Sequence, residues 1–241
     1  PATDSAGPSP ASSTRLMGTL GGSPSPAATD SAGPSPASST RLMMAPGPRF
    51  VIAVDGLDGS GKSRFAAALA ETLQSDGRPV SLLHVDDFRR PTDFAGLTAE
   101  AEAALYYESY FDFAAVADEL AARERGAADG AVTVLEGVML LRAPLPAGTP
   151  LIVLEVSAAE ARLRILARDE AKGRTPVEIA GRIDRRYFPA QARYRAAWDP
   201  LGRADLVVDN EDWRRPRVVR RSDARFPPGV AAALDRLLQA E

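Results

Sequence analysis

The stretch Gly56-Leu57-Asp58-Gly59-Ser60-Gly61-Lys62-Ser63 constrains this chain more than any other. It follows Phe50-Val51-Ile52-Ala53-Val54, an apolar, β-branched run that reads as a buried strand, and it opens an Ala-rich helix from Lys62 to about Leu73. A glycine-spaced loop between a strand and a helix, ending in Lys-Ser, is a pattern with a physical purpose. Glycines let successive backbone N–H groups turn inward as an anion nest. The helix N-terminus adds roughly half a positive charge. The nest is expected to use Gly56, Asp58, Gly59, Ser60 and Gly61, with Arg64 just beyond it. Lys62 is placed to reach outer phosphates, and the Ser63 hydroxyl to bind Mg²⁺. Lysine is scarce here: of 29 basic residues only Lys62 and Lys172 are lysines. One of the two falls where a compact ammonium suits a phosphate pocket better than a planar guanidinium.

The rest of the chain repeats a strand-then-helix rhythm. Strands are expected at 80–85, 132–135, 151–156 and 206–208, and helices at 98–125, from Ser157 through 162–169, at 177–198 and at 230–239. Thr98 and Ser157 are the helix caps, and Pro189 is expected to kink or break the helix it lies in. Alternation of this kind predicts an α/β fold, a five-stranded parallel sheet with helices on both faces and right-handed crossovers; together with the Gly56–Ser63 loop it resembles the three-layer sandwich of P-loop NTPases, with an Arg-rich lid.

Residues 2–17, ATDSAGPSPASSTRLM, recur letter for letter at 28–43. The repeat is rich in Pro, Ser, Ala and Gly and has no helical or strand period. Residues 1–48 therefore read as a disordered, low-complexity tail and 49–241 as the folded domain. The net charge of −3 gives no electrostatic case for nucleic acid or an anionic membrane. The absence of cysteine excludes disulfides and thiolate metal sites. Lacking an apolar run long enough to span a bilayer, or an apolar leader, the chain reads as cytoplasmic.

Three further stretches bear on chemistry. The second strand runs into His84-Val85-Asp86-Asp87-Phe88, which puts acids at a strand's carboxyl end, where parallel sheets bind ligands. The third ends in Leu135-Glu136-Gly137, where a carboxylate can hold Mg²⁺ through its water shell. Arg164 and Arg168 are spaced to share a helix face, and Asp169, Lys172, Gly173 and Arg174 follow. That combination suits a lid carrying positive charge onto a transferring phosphoryl group. His84, the sole histidine, reads as structural, and Asp55 as a brace for the loop.

In this order, the motifs resemble the uridine kinase family of P-loop nucleoside kinases over about residues 49–210. The family's pattern is a P-loop, an Asp-x-Phe after the second strand, a Glu-Gly after the third and an Arg-Asp lid with a basic turn. The resemblance implies an ATP-dependent phosphotransferase that uses ATP or another nucleoside triphosphate with Mg²⁺. Its partner would be a small-molecule hydroxyl acceptor, a nucleoside such as uridine or cytidine. Asp86 would be the base; Lys62, Arg164, Arg168 and Arg174 would steady phosphates; Ser63, Asp86 and Glu136 would meet Mg²⁺. Where the family carries a base-binding β-hairpin, residues 113–131 read as helix and turn. The candidate acceptor wall is the run Tyr106-Tyr107-Glu108-Ser109-Tyr110-Phe111-Asp112, with Tyr107, Glu108 and Asp112 as its named contacts and Asp87 and Phe88 added from the second strand's end. Two other readings stay open: a thymidylate-like monophosphate kinase, from the spelling Leu57-Asp58-Gly59, and a P-loop ATPase or switch without a small acceptor. The choice between ATP and GTP and the question of a homo-oligomer stay open too.

Overall fold

The computed structural model describes residues 49–239, so the duplicated segment lies outside the described residues. Six strands form one sheet: β1 (Phe50–Gly56), β2 (Val80–His84), β3 (Val132–Gly137), β4 (Leu151–Glu155), β5 (Leu206–Asp209) and β6 (Arg217–Arg221). Their order is β2-β3-β1-β4-β5-β6. The first five are parallel, as the alternation predicts, and β6 adds an antiparallel edge. The expectation of five strands missed β6 because Arg-Val-Val-Arg-Arg carries no buried alternation: Val218 and Val219 are 45% and 61% exposed. An edge strand needs only one backbone partner, and charged side chains suit its open side.

Alternate residues of each strand serve opposite faces. Val51, Ala53, Leu135, Val153 and Val207 pack on one side against α2 (Ala99–Ser109), α3 (Phe113–Gly126) and α6 (Phe188–Trp198). Ile52, Val54, Val134, Ile152 and Val208 pack on the other against α1 (Lys62–Ser75) and α8 (Pro228–Gln239). The result is the three-layer sandwich. A separate small cluster, Ile165, Ile179 and Ile183, joins α4 (Ala158–Glu170) to α5 (Pro176–Arg182). The lid thus has a core of its own. The one-turn α7 (Pro200–Arg203) leads into β5.

Two expected helices depart from a continuous course. The 98–125 helix is two, because Asp112 caps α3 by accepting from the Ala115 N–H and the backbone beside it turns to strand-like pairing. Arg90 N donates to the Tyr110 carbonyl at 2.8 Å and Asp112 N to the Phe88 carbonyl at 2.9 Å. The break brings Tyr110 and Phe111 against the segment that follows Asp86. The 177–198 helix is α5 and α6 joined by a π-helical turn, Ile183–Tyr187. Pro189, which has no N–H to give, sits in the first turn of α6, and the widened turn ahead of it absorbs the mismatch. That turn also lets consecutive residues converge. Arg185 Nε and Arg186 Nε reach the two oxygens of the buried Glu102, at 2.7 and 2.5 Å. No helix among the described residues is long and apolar enough to cross a membrane.

Candidate active site

The loop between β1 and α1 leaves the sheet beside the carboxyl ends of β3 and β4. Gly59 and Gly61 have φ of 80° and 87°, the left-handed region that glycine enters without strain. Space also demands them: a Cβ on Gly59 would lie 2.5 Å from the Ala161 carbonyl, and one on Gly61 would lie 2.6 Å from Asn210 Nδ2. Asp55, buried at the end of β1, braces the loop from below. Its carboxylate accepts from Gly56 N (2.7 Å), Leu140 N (3.2 Å) and Tyr194 OH (2.5 Å). Burial pushes the Asp55 carboxyl above its ordinary range, and the Tyr194 and backbone donors and the Lys62 charge pull it back. From the side, Asp58 is held by a reciprocal pair with Gln191 of α6 (N to Oε1 3.1 Å, Nε2 to Oδ2 2.6 Å) and by Tyr106 OH at 3.3 Å.

Lys62 is the informative group. It is only 8% exposed, its ammonium donates to the Leu57 carbonyl at 3.1 Å, and no carboxylate of the described residues lies within 4 Å of it. An ammonium has three donors. A sheltered one with a single carbonyl partner and an anion nest beneath it is built to meet an anion. Ser63 follows at the exposed start of α1.

Asp86 lies on a 3₁₀ turn, Val85–Phe88, directly after β2. The turn seats against β3 because Gly137 has no side chain: a Cβ there would come 2.5 Å from the Val85 Cβ. Close approach, rather than a turn in the backbone, is what this glycine supplies. Cleft walls and then the Asp58 charge push the Asp86 carboxyl above the ordinary aspartate range, while Arg89 and Lys62 oppose that. Next to it, His84 and Glu136 are cross-strand neighbours. His84 Nδ1 lies 2.6 Å from Glu136 Oε1, and the Glu136 side chain is 6% exposed. The structural role expected of His84 is therefore specific: it orients the β3 carboxylate.

The lid closes the space from the other side. Asp169, almost wholly buried, gathers Arg168 (2.8 Å), Arg174 (3.2 Å) and Lys172 (3.9 Å). Although burial opposes it, these cations hold the Asp169 carboxyl below its ordinary range. A cavity of about 110 Å³ results, lined by Asp58, Asp86 and Arg89 together with Arg168, Asp169, Lys172, Arg174 and Arg182. Tyr106, Tyr110, Phe111 and Tyr187 complete its walls.

Several sequence-picked residues stand elsewhere. Arg164 shares a helix with Arg168 but is taken up by Glu160 (2.8 Å) and by the carbonyls of Asn210 (3.0 Å) and Glu211 (2.8 Å). Its Nη1 also donates to the Gly59 carbonyl at 3.4 Å, so it clamps the loop after β5 to the glycine loop from outside the cavity lining. Of the acceptor wall, Tyr107 lies under Arg142 and Arg193 and accepts from Trp198. Glu108 pairs with Arg193, and Asp112 pairs with Arg90 while capping α3. Asp87 is exposed and Phe88 packs on the core. Tyr106, one residue from Tyr107 and so a third of a helical turn away, is the one that faces the cavity.

Other contributions were missed. Gln191 and Tyr194 reach the loop from α6, over a hundred residues away, and carry no local motif. Arg64 stacks on Trp213 at 3.4 Å from the ring centre, and Arg214 lies 4.2 Å from it. Asn210 Nδ2 donates to the Ser60 carbonyl at 2.6 Å, which ties this post-β5 loop to the glycine loop. Tryptophan beside an Asn-Glu-Asp run was the available signal.

No three metal-ligating side chains cluster among the described residues. Such a cage is not what Mg²⁺ at a nucleotide requires, since Mg²⁺ takes one or two protein oxygens plus phosphates and waters.

No family model matches this chain, and no curated protein does. Solved structures similar in fold include one described as a possible uridine kinase from Bacillus stearothermophilus. The two share 21% identity over 69% of this chain and 91% of the other, at a TM-score of 0.48. Another is a sugar kinase from Janibacter sp. HTCC2649, at 16% identity over 79% of this chain and 93% of the other, with a TM-score of 0.41.

Proposed function

We propose that the protein transfers the terminal phosphoryl group of a nucleoside triphosphate, ATP first among them, to a hydroxyl of a small molecule. The observation that carries this is one cavity in which Asp58 of the glycine loop, Asp86 of the β2 turn and the lid cations meet, with the unpaired Lys62 beside it. In this reading the triphosphate lies along the loop with its outer phosphates at Lys62. Mg²⁺, held by the phosphates, Ser63, Asp86 and Glu136, would neutralise phosphate charge.

The acceptor hydroxyl stands at Asp86, which orients it and takes its proton. Its oxygen forms the new bond to the γ-phosphorus, the bond from that phosphorus to the bridging oxygen breaks, and the electron pair leaves with ADP. Arg168 and Arg174 approach the equatorial oxygens from the lid. Such a transition state is loose, so positioning and charge matter more than proton abstraction. The sequence resemblance points to a nucleoside hydroxyl as the acceptor. The charged lining of the cavity favours a smaller and more polar one.

The test is a coupled ADP-release assay with ATP and Mg²⁺ over nucleosides, nucleotides, sugar alcohols and hydroxy acids. Asp86→Asn is expected to fold and bind ATP with turnover down by about 10²-fold or more. Parent-like turnover would remove Asp86 as the base. Equal turnover without any acceptor would favour an ATPase.

A further inference from the structure

Five cationic side chains line the cavity, and only three have a carboxylate partner. Arg168, Lys172 and Arg174 gather on Asp169. Arg89 and Arg182 line the cavity too, Arg89 against Tyr110 and Arg182 against Tyr187, with no carboxylate of the described residues within 4 Å of either. Arg89 is pinned in place, since its Nε donates to the Asp86 carbonyl at 2.7 Å. Its guanidinium therefore rises from the same turn that carries the proposed base. Arg182 ends α5.

Lys62 and the lid trio already serve the transferring phosphoryl group. Arg89 is held beside Asp86 in the same lining, so a group bound by Arg89 would lie close to a hydroxyl at Asp86. Asp58 and Asp86 face Arg168 and Arg89, but the lining still holds five cations against three carboxylates, an excess of positive charge that an uncharged acceptor would leave unmatched. A planar guanidinium fork suits a phosphate or carboxylate far better than a hydroxyl. The cavity is also small and lined mostly by charged groups, unlike the larger, mainly apolar pockets that hold drug-sized rings.

We infer that the acceptor is a compact anionic alcohol, a hydroxylated phosphate ester or carboxylate whose charged end is held by Arg89 and Arg182 while its hydroxyl meets Asp86. This rests on the phosphotransferase reading above and narrows its acceptor class.

The experiment uses matched probes on the full chain with Mg²⁺. D-Ribose is compared with D-ribose 5-phosphate, and glycerol with glycerate and with glycerol 3-phosphate; uridine is the neutral reference. Binding is measured calorimetrically in the presence of AMP-PNP, and turnover by ADP release with ATP. At least one charged probe is expected to bind and turn over about tenfold or more better than its neutral partner, since an ionic hydrogen bond is worth about 1.5–3 kcal/mol. The phosphate and carboxylate arms then separate the two chemistries. Arg89→Gln and Arg182→Gln are each expected to raise KM for the charged probe by about tenfold and to erase its advantage over the neutral one. A merely structural role would weaken both members of a pair alike. If AMP-PNP binds but neutral probes match charged ones, or no charged probe binds, the inference falls and the nucleotide reading stands. If AMP-PNP itself does not bind, both fall.

Discussion

Removing one phenolic oxygen, by Tyr194→Phe, tests how the glycine loop is held. The Tyr194 hydroxyl is buried, donates to Asp55 at 2.5 Å and accepts from Leu141 N at 3.2 Å. The ring would stay, so packing against the sheet is retained and the loss is one of hydrogen bonding. A bond to a carboxylate contributes about 1.5–3 kcal/mol, and leaving the Leu141 N–H without a partner adds about 1–3 kcal/mol, partly overlapping. About 2–4 kcal/mol of destabilisation is expected, read as a lower urea midpoint at unchanged slope. The pH dependence carries the sharper signature. Asp55 is already pushed upward by burial, and Tyr194 is the first of the groups that pull it back. Losing that donor raises the folded-state value further. The added penalty is complete while Asp55 is ionised and disappears as pH falls through its raised value and the carboxyl takes up a proton. The gap between parent and variant should therefore narrow in acid. Asp55 immediately precedes Gly56, so AMP-PNP affinity should fall as well. A loss below about 0.5 kcal/mol, within the ordinary range of surface substitutions, or a gap that widens in acid, would refute the brace.

Two other outcomes follow from the same geometry. Because cleft walls and Asp58 raise Asp86, the acid limb of kcat/KM should lie above the ordinary aspartate range. Asp58→Asn, which keeps an oxygen for Gln191, should move that limb to lower pH; a pH–rate profile unchanged by the substitution would separate the two carboxylates. Gly59→Ala would place a β-carbon 2.5 Å from the Ala161 carbonyl at a φ of 80°. The left-handed conformation alone costs about 1–2 kcal/mol. Stability and AMP-PNP binding should therefore drop together, and a variant with parent-like midpoint and affinity would show that the loop re-forms elsewhere.

What the sequence made legible was local chemistry. Ser157 and Thr98 cap helices where a hydroxyl beside a helical run predicts it, and the strand–glycine loop–helix unit stands where its pattern requires. Asp86, Arg168 and Arg174 meet in one cavity because each sits at a strand end or helix end whose position the parallel sheet dictates. The misplacements came from choices that only packing makes. Arg164 and Arg168 do lie on one face, but a turn apart along α4, so one meets the glycine loop at Gly59 and the carbonyls after β5, and the other the cavity. Tyr106 and Tyr107 are equivalent in composition and differ by a third of a helical turn. Which one reaches Asp58 depends on how α2 is rotated against α6, where Trp198 takes Tyr107 and leaves Tyr106 to the glycine loop. Gln191, Tyr194 and Trp213 belong to no motif; they matter because α6 and the post-β5 loop return to β1 from over a hundred residues away. The parts that a conserved chemistry would need are thus set by local pattern, while the walls that choose an acceptor are set by how helices pack. That division explains why the glycine loop and its strand-end acids could be read from the chain, while the cavity wall around them could not.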